Sequence, residues 1–432
     1  MYGKLSSMQE DLLQYIWQFQ YFNKSGLKTS SGEDVQVIHA GTFNTNQGPD
    51  FTNARVKIGA TIWAGNIELH INASDWKAHH HSTDANYDTV ILHVVWNDNS
   101  PAKDANENLI ATIELKNRVP KILLEKYRAL MNAAQFIPCE KLSSPINDLQ
   151  LLNWKHRLVA ERLLAKTQKV FSILEQTNFH WEETFWQLIA FNFGLKVNSD
   201  FFQEVAKALP VAILAKHKNQ VLQLEALLFG VAGLLQSSFT EDYSRMLEKE
   251  FLFYKKKYNL KIAEGTLSFL RMRPANFPTI RLSQLAVLIH QSEHLFSKIK
   301  NTSSVKEVRK MFRVRANDYW HYHFVFDKET TYQQKTLGNK MIDGIIINTI
   351  VPVLFAYGAH HGEEVYKNKA INWLEQISPE KNRITNGFEK LNFQNKNAFD
   401  SQFLIQLKNE YCNKLLCLKC AIGNSILKKG QD

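Results

Sequence analysis

The chain has 432 residues, 44% of them hydrophobic, with 18 Gly and 10 Pro, which excludes a disordered or collagen-like polymer and leaves room for one large core or two ordinary ones. Its formal charge of +10 is unevenly placed. Residues 1–120 carry 9 Lys and Arg against 13 Asp and Glu, and the remainder carries 43 against 29, so a polyanionic partner is expected to meet the later part.

From the N-terminus, MYGKLSSMQEDLLQ lacks the apolar stretch of a secretory signal, and a cytoplasmic address is expected. Ser6 or Ser7 is a candidate cap for a helix starting near Met8, with Glu10 and Asp11 in its first turn and Leu12, Leu13, Ile16, Trp17 and Phe19 on an apolar stripe. Strands are predicted over 35–41, 51–58 and 61–71, the last two joined at Gly59-Ala60. A polar, His-rich stretch follows over 74–87, with Ser74 as cap of a short helix. The β-branched run TVILHVVW (89–96) predicts a strand buried on both faces, and 108–115 predicts another. This is an α/β sandwich over residues 1–120. Beyond Pro120 the apolar spacing is helical over 154–172, 182–193, 221–235, 282–299, 340–357, 363–375 and 400–418. The expected chain is therefore α+β, with a large all-α region over 121–432. Its most apolar stretch, 345–357, is too short to span a bilayer and contains Asn348 and Pro352, so no membrane partner is expected.

The chemistry of the first region centres on GPDF (48–51) and NIELH (66–70). Adjacent strands of a hairpin bring Asp50 and Glu68 to one end of the sheet, where two carboxylates and the Leu69 carbonyl make an all-oxygen site suited to Mg²⁺ or Mn²⁺. Glu68 and His70 are two apart on a strand and share a face, so His70 is placed to act on a metal-bound water or on a leaving group. Glu10 is a candidate further carboxylate. Asp50 as a turn residue and Glu68 as a surface acid are the plain alternatives.

This arrangement resembles the PD-(D/E)XK phosphodiesterase superfamily, whose core runs α-β-β-β-α-β, over residues 8–116. The resemblance implies that Pro49-Asp50 stands for the PD element, Glu68 for the second acid, His70 for the Lys and Glu10 for the helix acid. His70 is the departure, since a Lys keeps its charge at neutral pH and a His does so only in part. The chain is also similar, nearly end to end, to an uncharacterised bacterial protein family, a domain of unknown function. That similarity lies in GPDFTNARVKIG (48–59), NIELHINASDWKAHHH (66–81), YDTVILHVVW (87–96), EALLFGVAGLL (225–235), RMRPANFP (271–278) and YCNKLLCLKCAIG (411–423). It implies no activity.

His79, His80 and His81 are adjacent, and neighbours along a chain point apart, so a solvated loop is expected; the alternative is that His79 or His81 touches the phosphate or metal, because the stretch returns directly from the Glu68 strand. His93 lies inside a buried strand and needs a partner. Cys412, Cys417 and Cys420 with the remote Cys139 are all the cysteines of the chain. They suit Zn²⁺ or a [4Fe–4S] cluster, or else simple packing in an apolar helix. Arg271, Arg273 and Arg281 around Asn276 and Phe277 form a rigid basic stretch fitted to phosphate. Lys306, Arg309, Lys310, Arg313 and Arg315 precede the aromatic YWHYHF (319–324). The expected function is metal-dependent hydrolysis of DNA or RNA. The alternatives are a non-catalytic nucleic-acid-binding protein with a degenerate core, a structural or assembly protein, and an enzyme on another phosphate ester.

Overall fold

The computed structural model describes residues 8–142, 146–270 and 272–429. The chain is mixed α/β, with a curled sheet in its N-terminal part and a large helical region after it. It divides into two compact units, Met1–Lys155 with Gln406–Asp432, and His156–Ile405. The sheet-bearing unit thus runs past the boundary expected at residue 120 and takes in the C-terminal segment.

Helix α1 (Glu10–Gln18) buries Leu12, Leu13, Tyr15, Ile16 and Trp17, with Glu10 and Asp11 at its positive end. Its N-cap is Gln9, which makes no side-chain capping bond; the expected caps Ser6 and Ser7 lie outside the described residues. The indole N–H of Trp17 donates to the Ala40 carbonyl at 3.0 Å and pins the helix to the strands. Those strands are β1 (Val35–His39), β2 (Thr42–Phe43), β3 (Phe51–Ile58), β4 (Thr61–Asn72), β5 (Val90–Asn97) and β6 (Thr112–Glu114). Their spatial order is β1-β3-β4-β5-β6, with β2 also on β3. The single strand expected over 35–41 is broken because Gly41 takes a φ of 92°, and a Cβ there would meet Phe51 at 2.9 Å. The strand expected over 108–115 shrinks to three residues.

β3 and β4 form the expected antiparallel hairpin, closed by Ile58 opposite Thr61. β5 instead runs parallel to β4, and β6 parallel to β5, so residues 73–89 must carry the chain back along the sheet as a crossover. Alternation then separates two faces. Ile67, Leu69, Leu92 and Val94 join α1 and α3 (Lys121–Met131) in the core. Glu68, His70 and His93 point to the other side, beneath the crossover. Each large apolar side chain fully buried on the first face contributes roughly 1.5–3 kcal/mol, which offsets the cost of polar groups enclosed on the second.

The helix expected over 400–418 is not continuous. Ala398–Gln406 passes into a π-helical turn at Leu407–Cys412, Leu415 takes a φ of 55°, and a 3-10 turn at Cys417–Lys419 precedes a last helix, Ala421–Lys428. Lys126 of α3 donates to the Ile426 carbonyl at 2.9 Å.

The second unit is helical, and the predicted spans move mainly at their ends. The run expected over 282–299 is two helices, Pro278–Gln291 and Leu295–Asn301, separated where His294 takes a φ of 46°. The run over 221–235 stops at Val231, and Gly233 follows in a left-handed conformation. Residues 340–357 lie within a helical run, Asn339–His361, that includes a π-helical turn at Ile346–Ile350. Pro352 cannot donate to the Asn348 carbonyl just there. By length and composition this run is apolar enough to cross a membrane, but 72% of its most apolar window is buried, as in a core helix.

Candidate metal centre

Four stretches of backbone deliver the polar cluster on the second face of the sheet. Asp50 ends the turn before β3. Its N–H donates to Glu68 Oε2 at 3.0 Å, and its own carboxylate accepts from the Leu69 N–H at 3.1 Å and from Gln14 Nε2 at 2.8 Å. β4 carries Glu68 and His70 on one face, and β5 places His93 opposite Glu68 in the ladder. The crossover supplies the rest. A short helix α2 (Asp75–Ala78) buries Trp76, whose indole N–H donates to the Lys103 carbonyl at 2.9 Å. His79 closes that helix, and His80 takes a left-handed φ of 60°, which turns the chain so that His79 and His81 converge on His70. Neighbouring histidines do point apart, as expected; the outer two, separated by a left-handed residue, do not.

The resulting geometry is tight. His70 Nε2 lies 3.2 Å from His79 Nδ1, 3.3 Å from His81 Nε2 and 3.6 Å from Glu68 Oε1, and His81 Nε2 lies 3.5 Å from the same oxygen. The donor nitrogens of His70, His79 and His81 all fall within 4.8 Å of one another. Donors sharing one ion at bond lengths of about 2.0–2.2 Å sit roughly 2.9–3.6 Å apart. On its other side His70 Nδ1 lies 2.8 Å from His93 Nε2. With Nε2 facing the cluster, the His70 proton belongs on Nδ1 and His93 accepts it, the usual outer-shell arrangement of a metal-binding imidazole. Tyr87 stacks on His81 at 3.8 Å, and Trp76 packs edge-on against the same ring. Glu68, His70, His81 and His93 are buried, while His79 is exposed and opens the cluster to solvent.

Burial governs the protonation of this cluster. It raises Glu68, helped by the charge of Asp50, and raises Asp50, helped by Glu10. It lowers His70 to about 3, His81 to about 4 and His93 to about 3, with neighbouring imidazoles adding to the effect. The contacts between Glu68 and the two imidazoles are therefore not ion pairs, because the rings are neutral. One change reverses the strain on both kinds of group. A divalent cation stabilises the ionised carboxylates and takes the lone pairs of imidazoles that are already neutral.

Of the residues singled out in the sequence, Asp50, Glu68 and His70 are brought together. Glu10 stands at the rim, raised by partial burial and influenced by His79 and Asp75. The gathered donors are three imidazoles and a carboxylate oxygen, in place of the all-oxygen set expected; it is the Leu69 amide, not its carbonyl, that meets Asp50. His79, His81 and His93 complete the cluster, where the sequence offers them only as the alternative to a solvated loop and to a partnered strand histidine. Their signal was present in a three-His run returning from the Glu68 strand.

The basic elements fare differently. Arg271 lies outside the described residues, and Arg273 is exposed. Arg281 is buried and spends its guanidinium on Gln284 at 2.7 Å and Asn276 at 2.5 Å, so neither Arg281 nor that face of Asn276 is offered to phosphate. Arg309 pairs with Asp343 at 2.7 Å, and Trp320, His321 and His323 of the aromatic stretch are buried. Cys139 falls in the same unit as Cys412, Cys417 and Cys420.

A family model described as a protein of unknown function (DUF2851) matches residues 10–383. No curated protein matches the chain, and no solved structure does.

Proposed function

The chain belongs to the DUF2851 family, and for it we propose metal-dependent hydrolysis of phosphodiester bonds in nucleic acid, with the ion held by His70, His79, His81 and Glu68. The observation that carries this reading is the convergence of three imidazole nitrogens and one buried carboxylate oxygen at donor–donor spacing. A nitrogen-rich set favours Zn²⁺, Mn²⁺ or another transition ion over Mg²⁺. The phosphodiester class draws support from the resemblance to the PD-(D/E)XK core, with an acid before one strand and a second acid on the next, and from the positive balance of residues 121–432.

A bound ion would supply a water of lowered pKa and offset charge on a phosphoryl oxygen. The chain's own groups do the rest. His70 is a ligand here and not a stand-in for Lys: its Nδ1 is committed to His93 and its Nε2 to the cluster, so it has no nitrogen left to move a proton. Asp50, fixed by Gln14 and the Leu69 amide, is the carboxylate placed to take one, with Glu10 at the rim. Burial raises Glu10, Asp11 and Asp75 lie close enough for their charges to raise it further, and an anionic substrate that nears His79 meets this negative charge as well.

One observation favours a second reading, nucleic-acid binding without cleavage. No cation stands where the superfamily's Lys would, since His70 is neutral and buried. Metal analysis of the purified chain, with a cleavage screen on single- and double-stranded DNA and RNA in Mn²⁺, Zn²⁺ and Mg²⁺, separates the two. The hydrolase reading expects about one transition ion per chain and cleavage lost in Glu68→Gln and His81→Ala. Cleavage undiminished in both variants sinks it, and binding with metal but no cleavage under any ion selects the second reading.

A further inference from the structure

We propose that Cys139, Cys412, Cys417 and Cys420 ligate a [4Fe–4S] cluster that joins the segment after α3 to the C-terminal segment of the same unit. These are the four cysteines of the chain, and none is in a disulfide. Cys139 is separated from the others by the whole helical unit in sequence, yet Cys417 lies in the core of the sheet-bearing unit, and Cys139, Leu142 and Leu418 pack against that core. The surrounding segments interlock as well: Lys408 lies over the Phe136 ring at 5.0 Å, and Trp154 meets Tyr411 edge-on at 5.1 Å.

All six pairs among the four thiols are close enough that charging one opposes charging the other. With burial as the larger cause, this pushes Cys139 up to about 11 and Cys417 up to about 12, with Cys412 also raised. Simple packing would explain burial but not the local backbone. The helical pattern of 400–418 promises an unbroken helix, and the chain abandons it between Cys412 and Cys417 to form a tight turn. Gly423 of the last helix comes so near the Cys417 carbonyl that a Cβ would lie 2.2 Å from it. Cys420 stands at the N-terminus of that helix; burial raises its pKa, and the backbone of Ile422 and Gly423 with the Trp154 side chain offsets part of the rise, the direction that favours a thiolate.

Spacing decides between one ion and a cluster. Among the described residues the histidines are the one set of three such donors within 4.8 Å of one another, so no three of the four sulfurs crowd that closely. On a single Zn²⁺, with Zn–S near 2.3 Å, tetrahedral sulfurs sit about 3.8 Å apart. Thiolates spaced more widely than that suit the larger cubane, with each thiol giving up its proton on ligation. The role is structural: the cluster ties the two parts of one unit across the helical unit inserted between them in sequence. It does not depend on the histidine centre.

The test is iron and acid-labile sulfide analysis of the full-length chain, purified without oxygen and reconstituted with ferric iron, excess dithiol as reductant, and sulfide. About four of each per chain are expected, with a broad visible absorption that bleaches under dithionite. Cys412→Ser and Cys420→Ser should lose iron and sulfide together, whereas His81→Ala keeps both and loses only the sulfide-free transition ion. Zinc without sulfide at the cysteines, no bound metal, or iron and sulfide unchanged in the Cys412→Ser, Cys420→Ser double variant overturns the proposal. If the serine variants do not fold, the iron-to-sulfide ratio of the unaltered chain still decides.

Discussion

Each unit of this protein encloses a buried glutamate, and the two are treated in opposite ways. In the helical unit Glu225 is wholly buried, and burial raises its pKa. Its oxygens accept from the Tyr243 hydroxyl, from Asn317 Nδ2 at 2.8 Å and from Trp320 Nε1 at 3.2 Å, with Ser283 as a further donor. Glu68 in the sheet-bearing unit is nearly as deep. It accepts one backbone N–H and turns its other oxygen toward imidazole nitrogens that have lone pairs to offer. A network closed by neutral donors is a structural device. A buried carboxyl that meets imidazole nitrogens without such a set of donors has an affinity left to satisfy, and this contrast, more than depth or charge alone, marks the candidate centre.

The comparison is broken most severely at Glu225. Glu225→Ala leaves Tyr243, Asn317 and Trp320 with buried donors and no acceptor, and should cost about 3–5 kcal/mol in chemical denaturation, with metal content unchanged. Glu225→Gln, which keeps an acceptor, should cost less. Glu68→Gln is the counterpart. In metal-free protein it removes a carboxylate that burial strains, so stability should hold or rise by about 1 kcal/mol. Its metal affinity should fall by more than the roughly 10–100-fold that loss of an outer-shell partner costs. If Glu68→Gln destabilises the metal-free protein as strongly as Glu225→Ala does, the two glutamates are alike and the contrast fails.

Acid–base behaviour sharpens the same point. Burial keeps His70, His81 and His93 neutral down to about pH 4, so these three do not limit metal binding near neutrality. Asp50 and Glu68 are raised by burial, so binding must displace their protons. Metal affinity measured by calorimetry should therefore keep rising with pH above 6.5, where an ordinary histidine site levels off. The sign for stability is opposite. Acids whose folded pKa exceeds the unfolded value stabilise fully below the unfolded pKa of about 4, and that contribution is lost as pH rises through the folded values. The metal-free protein should lose stability on the alkaline side, and bound metal at a hundred times its dissociation constant should restore about 2.7 kcal/mol. A metal affinity flat above pH 6.5 contradicts this account.

Much of this was legible in the sequence because it depends on period. Alternation along 66–70 fixed the shared face of Glu68 and His70, and the β-branched run around His93 announced a strand covered on both sides. What was illegible depends on single backbone angles and on pairing direction. Nothing in HHH reveals that His80 adopts a left-handed conformation, and without that turn His79 and His81 read as a solvated loop. The parallel pairing of β4 with β5 brings His93 opposite Glu68, and a list of strands does not give it. The Arg281 stretch misled for a related reason: composition counts charges but not the Gln284 and Asn276 oxygens that already hold one of them.

That last distinction carries the smallest predicted effect and the cleanest control. Arg281 is enclosed and bonded within its unit, so Arg281→Ala should act like the Glu225 change on a lesser scale, costing about 1–3 kcal/mol through the partners it strands. The salt dependence of any nucleic-acid binding should not move. Arg273 is exposed, and Arg273→Ala should leave stability within about 0.5 kcal/mol. If this residue contacts phosphate, the substitution should reduce the slope of log affinity against log salt by about 1. Titrating a fluorescent oligonucleotide at several salt concentrations reads both variants. A slope that drops for Arg281→Ala but not for Arg273→Ala would mean that the buried guanidinium is released on binding, and that the closed networks of the helical unit are not closed in the complex.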